Sequence, residues 1–229
     1  MKPIYMVGGS KGGVGKSCVS MALVDALQVR EENILLVDAD TSNPDVYKMY
    51  KDEVKTETIN LDDANGWIDL VNVCDANPDA TVVINTAARN NEGVAAYGKM
   101  LSDEDTLKAL QRRLITLWVI NRQRDSLELL KAYLETFSGT MIHVIRNCYF
   151  GEEKQFELYN DSNTRATIES NDGLSLNFPD LADRVSDAMN GKKRMSIAKA
   201  MKELPIGHRA ELTRWRNEAH KMFGALLDG

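Results

Sequence analysis

The run Gly8-Gly9-Ser10-Lys11-Gly12-Gly13-Val14-Gly15-Lys16-Ser17 leaves a chain few ways to fold. An apolar stretch, Ile4-Tyr5-Met6-Val7, leads into it, and from Cys18 to Leu27 apolar residues recur at helical spacing. Strand, glycine loop and helix start together are the context in which such a string becomes a phosphate cradle. Glycines let successive backbone N–H groups converge on one point, and the helix N-terminus adds its positive end. Lys16 is then placed to reach the β and γ phosphates of a nucleotide, and the Ser17 hydroxyl to take one Mg²⁺ position.

The rest of the chain repeats the strand-then-helix order. Asn33-Ile34-Leu35-Leu36-Val37 reads as a continuous, mostly apolar run that stops at Asp38-Ala39-Asp40. Such a run suits a central strand covered on both faces, and its C-terminal end is where open α/β sheets hold ligands. A polar stretch follows, then a short helix over 64–71 and a buried strand over 81–84 that ends in Asn85. A helix over 103–113, a strand over 114–120, a helix capped by Ser126 and a strand over 141–145 come next. Residues 150–170 carry no clear pattern, whereas Leu174 to Phe178 alternates like an edge strand stopped by Pro179. Helices are expected near 180–190, 195–203 and 208–227. The expected fold is α/β: a three-layer sandwich with a mostly parallel central sheet and helices on both faces.

A chain of 229 residues, 43% of them hydrophobic, has enough material for one sizeable core, and a single domain over 1–229 is the expectation. No apolar run approaches a membrane span, so a cytoplasmic protein is expected. Cys18, Cys74 and Cys148 are odd in number and unpaired by spacing, which fits reduced thiols better than a metal or redox site. The net charge of −6 hides an uneven distribution: from Val185 onward nine Lys or Arg stand against five acids. Lys192, Lys193 and Arg194 fall between two expected helices, where they could approach DNA phosphates without reading sequence. The last helix carries Leu212, Trp215, Ala219, Met222, Phe223, Leu226 and Leu227 as one apolar stripe, read as core; a membrane-surface helix would show the same pattern.

Lys11-Gly12-Gly13-Val14-Gly15-Lys16-Ser17 resembles the deviant phosphate loop of the ParA/MinD family of ATPases, a P-loop NTPase group marked by its second lysine. The resemblance implies ATP held by Gly12, Gly13, Val14, Gly15, Lys16, Ser17 and Cys18, with Mg²⁺ as its companion. It also implies a homodimer in the ATP state, in which Lys11 reaches the partner's nucleotide and offsets charge on the transferred phosphoryl group, as an arginine finger does. The segment Val37 to Asp45 looks like the family's first switch, so Asp38 is expected to hold a Mg²⁺-bound water and Asp40 to orient the attacking water. Lys11, Lys16 and Asp40 are the candidate catalytic residues. Asn147 matches the family's adenine-reading asparagine and Pro179 the residue that packs on the base.

At Asn85 the chain departs from the pattern, which usually has aspartate. An asparagine can still bind the metal's water through its amide oxygen but brings no negative charge, so slower hydrolysis is expected. The resemblance implies a positional switch for plasmid or chromosome partition, stabilisation or conjugation, read by a protein partner and able to meet non-specific DNA; a membrane partner is not expected. Two other classes stay open: a small-molecule ATP-dependent ligase resembling dethiobiotin synthetase, and a weakly hydrolysing scaffold or metal-cluster carrier on the same fold.

Overall fold

Alternate residues of the first strand serve two different cores. Tyr5 and Val7 pack with Leu36, Val83, Ile115, Leu117 and Ile145 on one face of a sheet, while Ile4 and Met6 pack with Leu35, Val37, Val82, Ile84 and Leu114 on the other. That is why these strands read as continuous apolar runs. The computed structural model describes residues 1–9, 12–88, 90–137, 139–191 and 194–228.

Among the described residues seven strands form one sheet: β1 (Lys2–Gly9), β2 (Ile34–Asp38), β3 (Lys55–Thr58), β4 (Thr81–Asn85), β5 (Arg112–Ile120), β6 (Met141–Asn147) and β7 (Ser175–Phe178). Their order is β3-β2-β4-β1-β5-β6-β7, and every pairing is parallel. β1 is central, the following crossovers run to one side and those after β4 to the other. Its C-terminal end therefore lies where the winding direction changes, the usual ligand crevice of such sheets.

Helices cover both faces. α1 (Lys16–Val29) lies on the first, with α2 (Asp45–Tyr50) and the C-terminal helices beside it; α3 (Ala64–Asp75) lies on the second. Between α3 and β5 run α4 (Asn91–Tyr97), α5 (Lys99–Ser102) and α6 (Glu104–Ala109). α7 (Arg124–Thr136), α8 (Glu157–Asn160) and α9 (Asn163–Ser170) continue the second face, and α10 (Asp183–Asn190), α11 (Ile197–Glu203) and α12 (Ile206–Leu227) the first.

Several sequence expectations change. The polar stretch after β2 holds α2, whose Val46, Met49 and Tyr50 are buried, and β3, an exposed edge strand that gains its ladder from β2. The helix expected over 103–113 ends at Ala109, because Gln111 turns with φ 55° and Arg112 opens β5. The Arg112 guanidinium is drawn inward to the carbonyl oxygens of Ala80 (2.7 Å) and Cys74 (3.3 Å) and to that of Asn77. Ser126 does not cap α7, which starts two residues earlier; its Oγ accepts the Asn121 N–H at 3.2 Å. Residues 150–170, without a pattern in sequence, contain α8 and α9. The stripe of α12 is core: Leu212, Trp215, Ala219, Phe223 and Leu226 are buried, which removes the apolar face a membrane-surface helix would need.

Candidate nucleotide site

At the end of β1 the backbone makes a turn that only glycine adopts without strain: Gly13 has φ 80° and Gly15 φ 103°. Gly15 then occupies the N-cap of α1, where no side chain caps the helix. The N-terminus of α1, with its positive dipole end, is thereby directed at the place an incoming anion would take. A Cβ at Gly15 would also collide with the Asn147 amide. Asn147 sits there because its Nδ2 donates to the Val14 carbonyl at 2.9 Å, while its Oδ1 accepts the Tyr149 N–H at 3.1 Å. The end of β6 thereby braces the loop that leaves β1.

The loop opens into a cavity of about 310 Å³. Gly12, Gly13, Gly15, Lys16, Ser17, Cys18, Asp40 and Thr86 line it together with Met21, Leu181, Ser186, Met189, Asn190, Ile197 and Trp215. Lys16 is only 7% exposed. Burial pulls its pKa down to about 8, with Asp40 working in the opposite direction. A bound phosphate would give this buried ammonium a charge-assisted hydrogen bond.

Behind the loop, Asp38 is fully buried at the end of β2. Its Oδ1 accepts from Asn85 Nδ2 (3.0 Å) and the Asp40 N–H (3.2 Å), and its Oδ2 from the Tyr47 N–H (3.0 Å). Burial raises its pKa, and those donors act against the rise. Three donors on a carboxylate leave about one acceptor position, so Asp38 can meet a cation through water but not cage one. Asp40, by contrast, lines the cavity. Ser17 and Asp38 offer oxygen, the donor type that a hard cation such as Mg²⁺ takes. In that role Mg²⁺ would neutralise phosphate charge, with Ser17 as its protein ligand and Asp38 holding one of its waters.

Asn85 has its amide engaged at both ends, donating to Asp38 and accepting from the Ser20 hydroxyl at 3.1 Å. A second carboxylate in its place would face Asp38 inside the protein, so the neutral amide suits this geometry. Pro179 lies beyond β7 with its carbonyl accepting from Trp215 Nε1 at 2.9 Å. Arg194 pairs with Asp45 at 3.1 Å. Lys11, Lys192 and Lys193 lie outside the described residues.

The structure brings Lys16, Ser17, Cys18 and Asp40 around one cavity, with Asn147 behind the loop. Met21, Leu181, Met189, Ile197 and Trp215 were not identifiable from sequence, because they meet the loop only through the packing of α1 against α11 and α12 and of α10 against α12. The thiols are not poised as nucleophiles: burial pushes Cys18 up to about 12 and Cys74 to about 11. His143, with Nδ1 accepting the Leu174 N–H at 3.0 Å and its pKa held at about 4 by burial, is a neutral core residue.

Against known proteins, residues 5–148 match the profile of the CobQ/CobB/MinD/ParA nucleotide binding domain. The chain belongs to this family. It is 62% identical over 226 residues to Protein MobD of Acidithiobacillus ferrooxidans, a match spanning 99% of this chain and 98% of that one. Among solved structures, MinD cell division protein of Aquifex aeolicus superposes with a TM-score of 0.56 at 16% identity, covering 98% of this chain and 97% of that one. Cell division protein FtsY of Thermotoga maritima gives 0.54 at 17% identity, over 76% of this chain and 60% of the other. At those identities the likeness concerns fold alone. As in other ParA/MinD-type proteins, the fold is that of a P-loop nucleotide-binding protein, and family members are ATPases. No helix among the described residues is long and apolar enough to cross a membrane.

Proposed function

We propose that this chain binds ATP with Mg²⁺ and acts as an ATP-dependent positional switch for plasmid DNA, in partition, stabilisation or conjugative transfer. The observation that carries the reading is the cradle itself: an uncapped α1 N-terminus, a buried Lys16 and the facing Asp40 converge on one cavity. A buried ammonium at a helix N-terminus that no side chain caps is an arrangement that a triphosphate completes. Asp40 orients the attacking water and Lys16 offsets charge on the γ phosphate. Lys11 reaches the nucleotide of a second copy, so ATP favours the homodimer, in which a protein partner reads or stimulates the ATPase.

Asn147 and Pro179 take the base side. Ser17, with Asp38 and Asn85 through water, takes the metal side. Lys192, Lys193 and Arg194 contact DNA backbone, with Arg194 first leaving Asp45. Hydrolysis is slow, because Asn85 adds no charge beside the metal. A ligase on this fold would need an acid substrate beside the γ phosphate, and the second lysine of the loop argues for the switch instead.

One experiment tests the reading: ATP hydrolysis with and without DNA, alongside sedimentation with and without ATP and Mg²⁺. DNA-stimulated turnover and an ATP-dependent mass increase are expected. Turnover that needs a small acid, or a mass unchanged by ATP, would overturn it. DNA affinity should fall steeply with salt and on neutralising Lys192, Lys193 and Arg194.

A further inference from the structure

Ser17 and Ser20 are three residues apart on α1, and so lie on one side of that helix. Ser17 closes the phosphate loop; Ser20 is wholly buried one turn further on. The Ser20 hydroxyl donates to Asn85 Oδ1 at 3.1 Å, and the nitrogen of the same amide donates to Asp38 Oδ1 at 3.0 Å. This two-step relay joins α1, β4 and β2 at their cavity ends. All three members are at most 2% exposed.

We propose that Ser20 is a positioning residue for the metal side of the nucleotide site: through Asn85 it fixes where Asp38 stands relative to Ser17. The inference rests on the Mg²⁺-nucleotide reading above. Apolar packing between α1 and the sheet is non-directional and tolerates small slides, whereas a hydrogen-bonded relay does not. The amide of Asn85 has two unlike ends, and Asp38 as a carboxylate accepts only from the NH₂ end. The oxygen end must then face α1, where Ser20 supplies the donor. Without that hydroxyl the amide oxygen stays buried and unpaired, and the amide gains a reason to turn away from Asp38. Asp38 would keep its backbone donors from Asp40 and Tyr47. It would lose the tie that registers it to the helix carrying Ser17. Groups of this kind, set behind a residue that holds a metal's water shell, orient that residue without touching the metal.

The test uses the full chain and a fluorescent ATP analogue, with affinity measured in Mg²⁺ and again in EDTA. In Ser20→Ala the Mg²⁺-dependent gain in affinity falls about tenfold, while the EDTA affinity stays within about twofold of wild type. Ser20→Thr, which keeps the hydroxyl, restores the gain, and in an Asn85→Ala background Ser20→Ala has no further effect. An unchanged Mg²⁺-dependent gain, or an equal loss with and without the metal, would overturn the positioning role. If the wild-type chain itself binds equally in Mg²⁺ and EDTA, the metal reading of the site fails and the proposal goes with it. A normal wild-type gain that Ser20→Ala leaves intact overturns the Ser20 proposal alone.

Discussion

The carboxylate of Asp38 and the amide of Asn85 meet at 3.0 Å at the buried ends of β2 and β4, which run side by side in register. The pair explains why an amide is tolerated where the family pattern has an acid: one charge, not two, is enclosed. Asn85→Asp sets two carboxylates against each other and is expected to destabilise the nucleotide-free protein by about 3 kcal/mol. Burial already raises the Asp38 pKa, and the second acid raises it further, so the folded variant holds a proton that the unfolded chain releases. Its stability deficit therefore shrinks as pH falls and grows as pH rises. Denaturant unfolding of variant and wild type across the acid range measures this.

Lys16 predicts an exchange between stability and binding. With its pKa at about 8 in the fold against an ordinary 10.5, the folded protein carries fewer protons than the unfolded chain between those values. Its contribution thus makes the ligand-free protein more stable as pH rises through that window. Lys16→Met is expected to remove this rise, to raise the unfolding midpoint near neutral pH, and to weaken ATP binding by roughly 2 kcal/mol or more. Thermal melts with and without ATP read both effects.

Asn147 has two tasks that one substitution separates. Asn147→Asp keeps the shape but cannot donate to the Val14 carbonyl, a bond of 2.9 Å in the native protein. ATP affinity is expected to fall by about 1–3 kcal/mol through loosening of the loop. If the amide also reads the adenine edge, the preference for ATP over GTP narrows in the same variant. Competition binding with the two nucleotides measures it.

Trp215 ties α12 to the end of β7. It is 1% exposed, stacks edge-on against Phe178 at 5.5 Å and donates to the Pro179 carbonyl. Trp215→Ala is expected to cost about 3–5 kcal/mol of stability, while Trp215→Phe, which mainly loses the N–H donor, costs about 1 kcal/mol. Because the stripe of α12 is spent in the core, the native chain is not expected to co-sediment with anionic lipid vesicles.

Features decided within a few residues were legible in the amino-acid order. Glycines at fixed offsets, a lysine and a hydroxyl at a helix start, and apolar runs ending in Asp38 and Asn85 each carry their meaning within a few residues, so the loop, the core strands and the α/β class were legible. The edge strand β3 was not, because an exposed strand has no apolar pattern and exists through its ladder with β2. Nor was the end of α6, which is decided by Arg112 turning inward to carbonyls from distant segments. Only the tertiary structure brought Met21, Leu181 and Trp215 to one cavity and joined Ser20, Asn85 and Asp38 across three elements. Hydrogen bonds between residues 47 and 65 positions apart leave no spacing to read; they follow from the strand order, and that order placed the asparagine against the one carboxylate it could neutrally support.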